Sequence, residues 1–287
     1  MSLILSAFAD EAGRDVDTQI AALRETRVSH VDLRAVGEYS IVDLPVDDAK
    51  KVAEKLTAAG ITVGMFGSPI GKIDIADDFS VDLERLAHLG RLSPIFGASA
   101  VRIFSYYNKA GAPKDAWREE SLKRLTELRS RAADLGLVLY HENESDIFGD
   151  HPLDVLTIAE LRDRAAFRTV YDFSNYLRTG VGGRQAWQML RDVTDAFHFK
   201  DQLSSGEVVP IGQGDTDAEW IVADALANGW SGPCTVEPHL VHSDAVLATI
   251  VSGKENATLK ELGPRECFRI ACREAHAFLT RIGAEYR

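Results

Sequence analysis

The segment "TDAFHFKD" (194–201) has the length and apolar content of a buried strand, yet it carries His198 and Lys200 two residues apart. Side chains alternate faces along a strand, so an imidazole and an ammonium share one face while Phe197 and Phe199 share the other. Three further runs of strand character end in carboxylates: "LVLYHE" in Glu142, "RTVYD" in Asp172 and "PCTVE" in Glu237. A Glu, Asp, His, Glu set without thiolate suits a hard divalent cation. It favours Mn²⁺ or Mg²⁺, admits Co²⁺ or Zn²⁺, and does not suit a structural zinc. Taken singly, each residue has a plainer role: Asp172 in "YDFSN" can cap a helix, and an inward His can be a hydrogen-bonded core residue. Taken together, three carboxylates converging without a cation would repel one another.

Such convergence needs strands held side by side. Short β-rich runs alternate with longer amphipathic ones along the whole chain: "LILSAF" (3–8), "HVDLR" (30–34), "ITVGMF" (61–66), "AVRIF" (100–104), "LVLYHE" (137–142), "RTVYD" (168–172), "AFHFK" (196–200) and "PCTVE" (233–237). Between them, stretches such as "VDTQIAALRE", "DDAKKVAEKLTAA", "EESLKRLTELRSRAADL" and "AEWIVADALAN" repeat apolar residues at helical spacing. Connections from helix to strand are short and often carry a Gly suited to a helix C-terminus ("AAG", "DLG"). Those from strand to helix are long and polar ("GSPIGKIDIADDF", "SYYNKAGAPKDAW", "NESDIFGDHP"). Eight such units with long loops on one rim are the pattern of a (β/α)₈ TIM barrel whose site lies at the C-terminal face. A doubly wound open sheet is the rival, but "FADEAGRD" after the first strand is no dinucleotide fingerprint. Neighbouring barrel strands stand about 4.8 Å apart, so the inward tops of strands five to eight can bring Glu142, Asp172, His198 and Glu237 around one ion, with Lys200 as a cation beside it.

The 287 residues are 45% hydrophobic without a compositional break, which predicts one barrel domain over 1–287, interrupted by a long loop at about 238–263 before the last helix. That loop is expected to form a lid or a subunit contact, as in a homo-oligomer. A net charge of −12 argues against a nucleic-acid partner. "MSLILSAFADEAG" has neither a basic region nor a cleavage pattern, no run reaches the length of a membrane span, and Cys234, Cys267 and Cys272 lack paired close spacing. The expectation is a cytoplasmic protein with reduced thiols. Glu11 follows the first strand, Arg34 ends the second and Lys72 lies in the loop after the third; all three are candidate substrate contacts, as is His239 after "EP". His141 should point away from the barrel axis, Trp187, Trp220 and Trp230 should be packing residues, and the glycines of "IGQGD" should serve a turn rather than cradle phosphate.

"HENESDIFGD" (141–150), "YDFSN" (171–175), "HFKD" (198–201), "IGQGDTD" (211–217) and "VEPH" (236–239) resemble the sugar phosphate isomerase/epimerase family with the xylose isomerase-like TIM barrel. The resemblance implies a divalent ion, often Mn²⁺, held by Glu142, Asp172, His198 and Glu237, and a sugar, keto-sugar or polyol substrate. It also implies that Glu142 and Glu237 act as the proton-transferring pair through a metal-stabilised enediolate. The segment "QLSSGEVVPIG" lacks the arginine that several epimerases place there, which leaves Lys200 as the evident catalytic cation. The nearest alternative keeps the ion and ends in elimination: a lyase or dehydratase acting on a keto-inositol or a 3-keto-glycoside. An endonuclease IV-like nuclease would need more metal ligands and a basic rim, and a non-catalytic sugar-binding barrel would have no use for four ligands.

Overall fold

The computed structural model describes residues 2–247 and 253–287. Eight parallel strands close into a barrel: β1 (Ile4–Ala7), β2 (His30–Leu33), β3 (Thr62–Phe66), β4 (Ala100–Ile103), β5 (Val138–Glu142), β6 (Phe167–Asp172), β7 (Ala196–Phe199) and β8 (Pro233–Val236), which pairs back to β1. Each lies within a residue or two of its expected run. Outside the barrel run α1 (Val16–Thr26), α2 (Val46–Ala58), α3 (Ser80–Phe96), α4 (Lys114–Asp134), α5 (Pro152–Ala159), α6 (Phe173–Arg178), α7 (Gly183–Leu190), α8 (Ala218–Ala227), α9 (Asp244–Leu247) and α10 (Pro264–Arg281). No helix among the described residues is long and apolar enough to cross a membrane.

Strand parity divides the side chains as the sequence requires. Phe197 points outward into Tyr171, Phe173, Trp187 and Trp230, and Phe199 meets Phe278 of α10. This aromatic packing fixes the back of β7, which leaves its front for His198. Beneath the ligand level, Tyr140, Val170 and Ala196 share the inward parity of Glu142, Asp172 and His198 and cluster with Met65. Trp187 is buried and Trp230 packs on Phe197, but Trp220 is 37% exposed with the Arg184 guanidinium over its ring. Its expected packing role is therefore only partly met, with the cation stacked on a ring that stays accessible at the surface. All three cysteines are buried and unpaired.

The rim after β7 is organised around one carboxylate. Asp201 accepts N–H bonds from Gly212 (2.8 Å) and Gly214 (3.0 Å) through Oδ2, while Thr216 Oγ1 donates to Oδ1 at 2.7 Å. "IGQGD" is therefore a turn that cradles the chain's own Asp201, and a Cβ on Gly214 would overlap that carboxylate. The insertion after β8 ties into the same rim: Asn256 N–H donates to Leu240 O, and the Lys254 backbone bonds with Gly206 and Val208. For the lid or subunit contact expected of this insertion, residues 248–252 lie outside the described residues.

Asp201→Ala would strand the Thr216 hydroxyl and the partly buried Gly212 and Gly214 N–H groups at once, and should cost about 2–4 kcal/mol in urea unfolding. Gly214→Ala should destabilise in the same direction. An unchanged unfolding midpoint for both would show that the loop does not depend on Asp201.

Candidate active site

Glu142 and Asp172 are the last residues of β5 and β6, His198 lies in β7 and Glu237 stands one residue beyond β8. All four are buried, and one ligand atom from each lies within 4.8 Å of all the others. His198 Nδ1 is 2.7 Å from Glu142 Oε1 and 3.7 Å from Glu237 Oε2. Lys200 Nζ, one residue past the strand, is 2.8 Å from Asp172 Oδ2 and donates to Glu237 Oε2 at 3.4 Å. The alternation of "HFK" thus delivers both cations to the same three acids.

Asp172 has two occupations. Its Oδ1 caps α6 by accepting the Asn175 N–H at 2.9 Å, and its Oδ2 faces Lys200. Asn143 bolts the top of β5 to that of β6, donating to Asp172 O (3.1 Å) and accepting its N–H (2.8 Å).

Burial opposes ionisation of every acid here, and the neighbours decide the outcome. At Glu142, His198 and Arg102 outweigh burial and hold the carboxyl below its ordinary range. At Glu237, Lys200 and His239 do so more strongly. Asp172 is pushed up to about 6, because burial with Glu142 and Glu237 nearby exceeds what Lys200 returns. Burial would lower His198, but Glu142 raises it to about 10, and Lys200 rises despite burial through Asp172 and Glu237.

Of the candidate substrate contacts, three gather at Glu237. Arg34 donates to Asp10 from two nitrogens (2.8 and 3.1 Å) and to Glu11 at 3.2 Å, and reaches Glu237 Oε1 at 3.5 Å. His239, held at φ +45°, donates its N–H to Glu11 Oε2 (2.8 Å) and brings Nε2 to 3.3 Å from Glu237. Lys72 stands apart, paired with Glu144 at 3.0 Å. His141 points outward to Ser105 Oγ (3.0 Å), and burial lowers it to about 3, as befits a neutral structural residue.

Sequence reasoning passed over Arg102. Its Nη1 lies 3.3 Å from Glu142 and 3.7 Å from Glu237, bridging the two glutamates from β4. The signal was present, since "AVRIF" sets Arg102 in an apolar strand as "AFHFK" sets His198 and Lys200. Phe8 was also missed: it lies edge-on to His198 and carries the Arg34 and Arg102 guanidinium groups against its ring at 4.8 and 4.9 Å. Gly67 leaves room for it, because a Cβ there would stand 2.7 Å from the Phe8 ring.

Glu142 Oε2, Asp172 Oδ2 and His198 Nε2 are buried without a hydrogen bond. The two carboxylate oxygens face only the cations Arg102 and Lys200, and a hard-oxygen and imidazole donor set enclosed in this way fits a divalent ion.

Residues 20–258 match the family model described as xylose isomerase-like TIM barrel, and the chain belongs to that family. No curated protein sequence matches it significantly. Among solved structures it is similar to a D-tagatose 3-epimerase-like protein (12% identity, 98% of each chain, TM-score 0.73). It is also similar to the 3-keto-D-glucoside 4-epimerase YcjR of E. coli (14%, 97% of this chain and 100% of that one, 0.66). A third is a xylose isomerase-like TIM barrel protein of Mycobacterium smegmatis in complex with magnesium (15%, 99% and 98%, 0.68). At these identities the likeness is one of fold.

Arg34 is the buried counter-charge to three acids, so Arg34→Met should destabilise the chain by about 3–5 kcal/mol in denaturant unfolding. Arg34→Lys, which cannot fork, should recover only part of that. If Arg34→Met unfolds like the parent chain, the acids are balanced by other groups.

Proposed function

We propose that this chain is a divalent-metal-dependent isomerase or epimerase that acts on a sugar, keto-sugar or polyol by proton transfer next to a carbonyl. The observation that carries the reading is the approach of Glu142 and Glu237, from strands separated by β6 and β7, to one buried cluster with Asp172 and His198. Those four residues would hold the ion, with Mn²⁺ or Mg²⁺ favoured by the donor set. An ion bound there would supply Lewis acidity to adjacent substrate oxygens.

The remaining work falls to the chain's own groups. Glu142 Oε2 and Glu237 Oε1 are carboxylate oxygens bridged by Arg102, with Glu142 held ionised by His198 and Arg102 and Glu237 by Lys200 and His239; either is able to take the proton from carbon as the carboxylate, and the other, once protonated from solvent, returns one. Lys200, kept charged by Asp172 and Glu237, donates toward the oxygen on which negative charge develops. Asn143 and the α6 cap fix Asp172, and Phe8 fixes His198, so the geometry is set before substrate arrives. The epimerase names of the two structural neighbours support a carbohydrate substrate. Buried, unpaired thiols are consistent with a cytoplasmic setting.

Metal analysis of purified protein should find about one equivalent of divalent ion that His198→Ala loses; equal contents in both would remove the metal reading. Glu142→Gln and Glu237→Gln should each abolish exchange of substrate hydrogen with D₂O, followed by NMR on a panel of ketoses and keto-glycosides. A mutant that exchanges normally would reduce that glutamate to a ligand. Lys200→Met should lower kcat about 10²-fold with its metal retained. Loss of the ion together with normal turnover of the residual holoenzyme would make Lys200 a positioning residue only.

A further inference from the structure

Beside the four ligands lies a cavity of about 440 Å³ whose lining includes Arg14, Arg34, Lys72, Arg85 and Arg102 against the carboxylates of Asp10 and Asp43. The chain as a whole carries −12, so this concentration of cations runs against its overall sign. The cavity adjoins the site, because Arg34 and Arg102 line it and also contact Glu237 and Glu142.

Most of these cations are already paired. Arg34 is taken by Asp10 and Glu11, Lys72 by Glu144, and Arg102 by the two glutamates. Arg85 holds Asp82 through a single Nη1 contact at 3.0 Å. Arg14 makes no ion pair with any described residue, and its Nε is buried without a hydrogen bond. Asp43, the other charge on the lining without an ion pair, is exposed. The Arg14 backbone is fixed meanwhile, its carbonyl accepting the Gly37 N–H at 2.7 Å and Gln19 Nε2 at 3.0 Å. A buried guanidinium nitrogen without a partner is costly, and its planar fork matches the paired oxygens of a carboxylate or phosphate.

We infer that the substrate of this site is anionic: a carbohydrate derivative bearing a carboxylate or phosphate that Arg14, assisted by Arg85, binds in this cavity. The inference rests on the proposed carbohydrate chemistry for the location of substrate, but not on the presence of the ion. A volume of about 440 Å³ suits a monosaccharide with such a tail.

Calorimetry with D-fructose, D-fructuronate and D-fructose 6-phosphate, which share a carbon skeleton and differ at C6, tests it directly. At least one anion should bind about tenfold or more tightly than D-fructose. Tighter binding of the phosphate ester identifies a sugar phosphate, and tighter binding of the uronate a sugar acid. Arg14→Gln should reduce the preference to about threefold or less, with Arg85→Gln giving a smaller loss. Equal affinities, no binding by any probe, or a preference unaffected by Arg14→Gln would overturn the inference. The metal reading fails separately: a chain that retains one ion through His198 yet shows no anion preference sinks only the inference, and an ion-free chain that keeps the preference sinks only the metal reading.

Discussion

Three buried carboxylates in one barrel mouth are the constraint around which the rest of the upper barrel is arranged. At about 4 Å, two like charges repel by roughly 4 kcal/mol even at the effective dielectric of a protein surface, and Glu142, Asp172 and Glu237 form three such pairs in a more enclosed place. The structure answers with cations from different strands: Lys200 and His198 by way of β7, Arg102 from β4, and Arg34 from the end of β2. Removing any one acid would take a partner from at least one buried cation: Asp172 from Lys200, Glu142 from His198 and Arg102, and Glu237 from all four. The residues are therefore interdependent in a way that separate helix caps or surface ion pairs are not.

That dependence extends downward and outward. The ligand level rests on the apolar layer of Tyr140, Val170 and Ala196, and β7 is clamped from behind by the aromatic packing on Phe197 and Phe199. The residue following Lys200 continues the logic, since Asp201 turns away from the mouth and gathers the Gly212–Thr216 loop around its own carboxylate. Adjacent residues of one dipeptide thus serve the chemistry and the rim that encloses it. A glycine at position 214 follows from the space the Asp201 carboxylate occupies.

The barrel was legible because its signals are local: strand runs, helical periodicity and the asymmetry of loop lengths all act within a few residues. The four candidate ligands were legible because they repeat one place on four consecutive strands. Arg102 shares the inward parity of His198 yet passed unnoticed, since its partners Glu142 and Glu237 lie 40 or more residues away and only barrel closure brings them to it. Arg34 was singled out as a substrate contact without its partners. That Asp10 and Glu11 would both fold back onto it depends on the 3₁₀ turn Ala9–Glu11 after β1, which propensity does not announce. Trp220 shows the converse, a residue type that usually packs, left on the surface by the orientation of α8.

Asp172 shows why competing readings of one residue need not exclude each other. A helix cap uses one carboxylate oxygen, and the Asn175 N–H occupies Oδ1 alone. The other oxygen is then held in a fixed direction at no further conformational cost, because the cap has already selected the rotamer. The burial that raises Asp172 to about 6 reflects how little else solvates Oδ2 beyond Lys200. Capping supplies the orientation that coordination or proton chemistry requires, so the plain role of Asp172 is a precondition of its chemical one. The same economy places His198 on a strand whose other face is aromatic: packing on the outside determines where the imidazole stands inside.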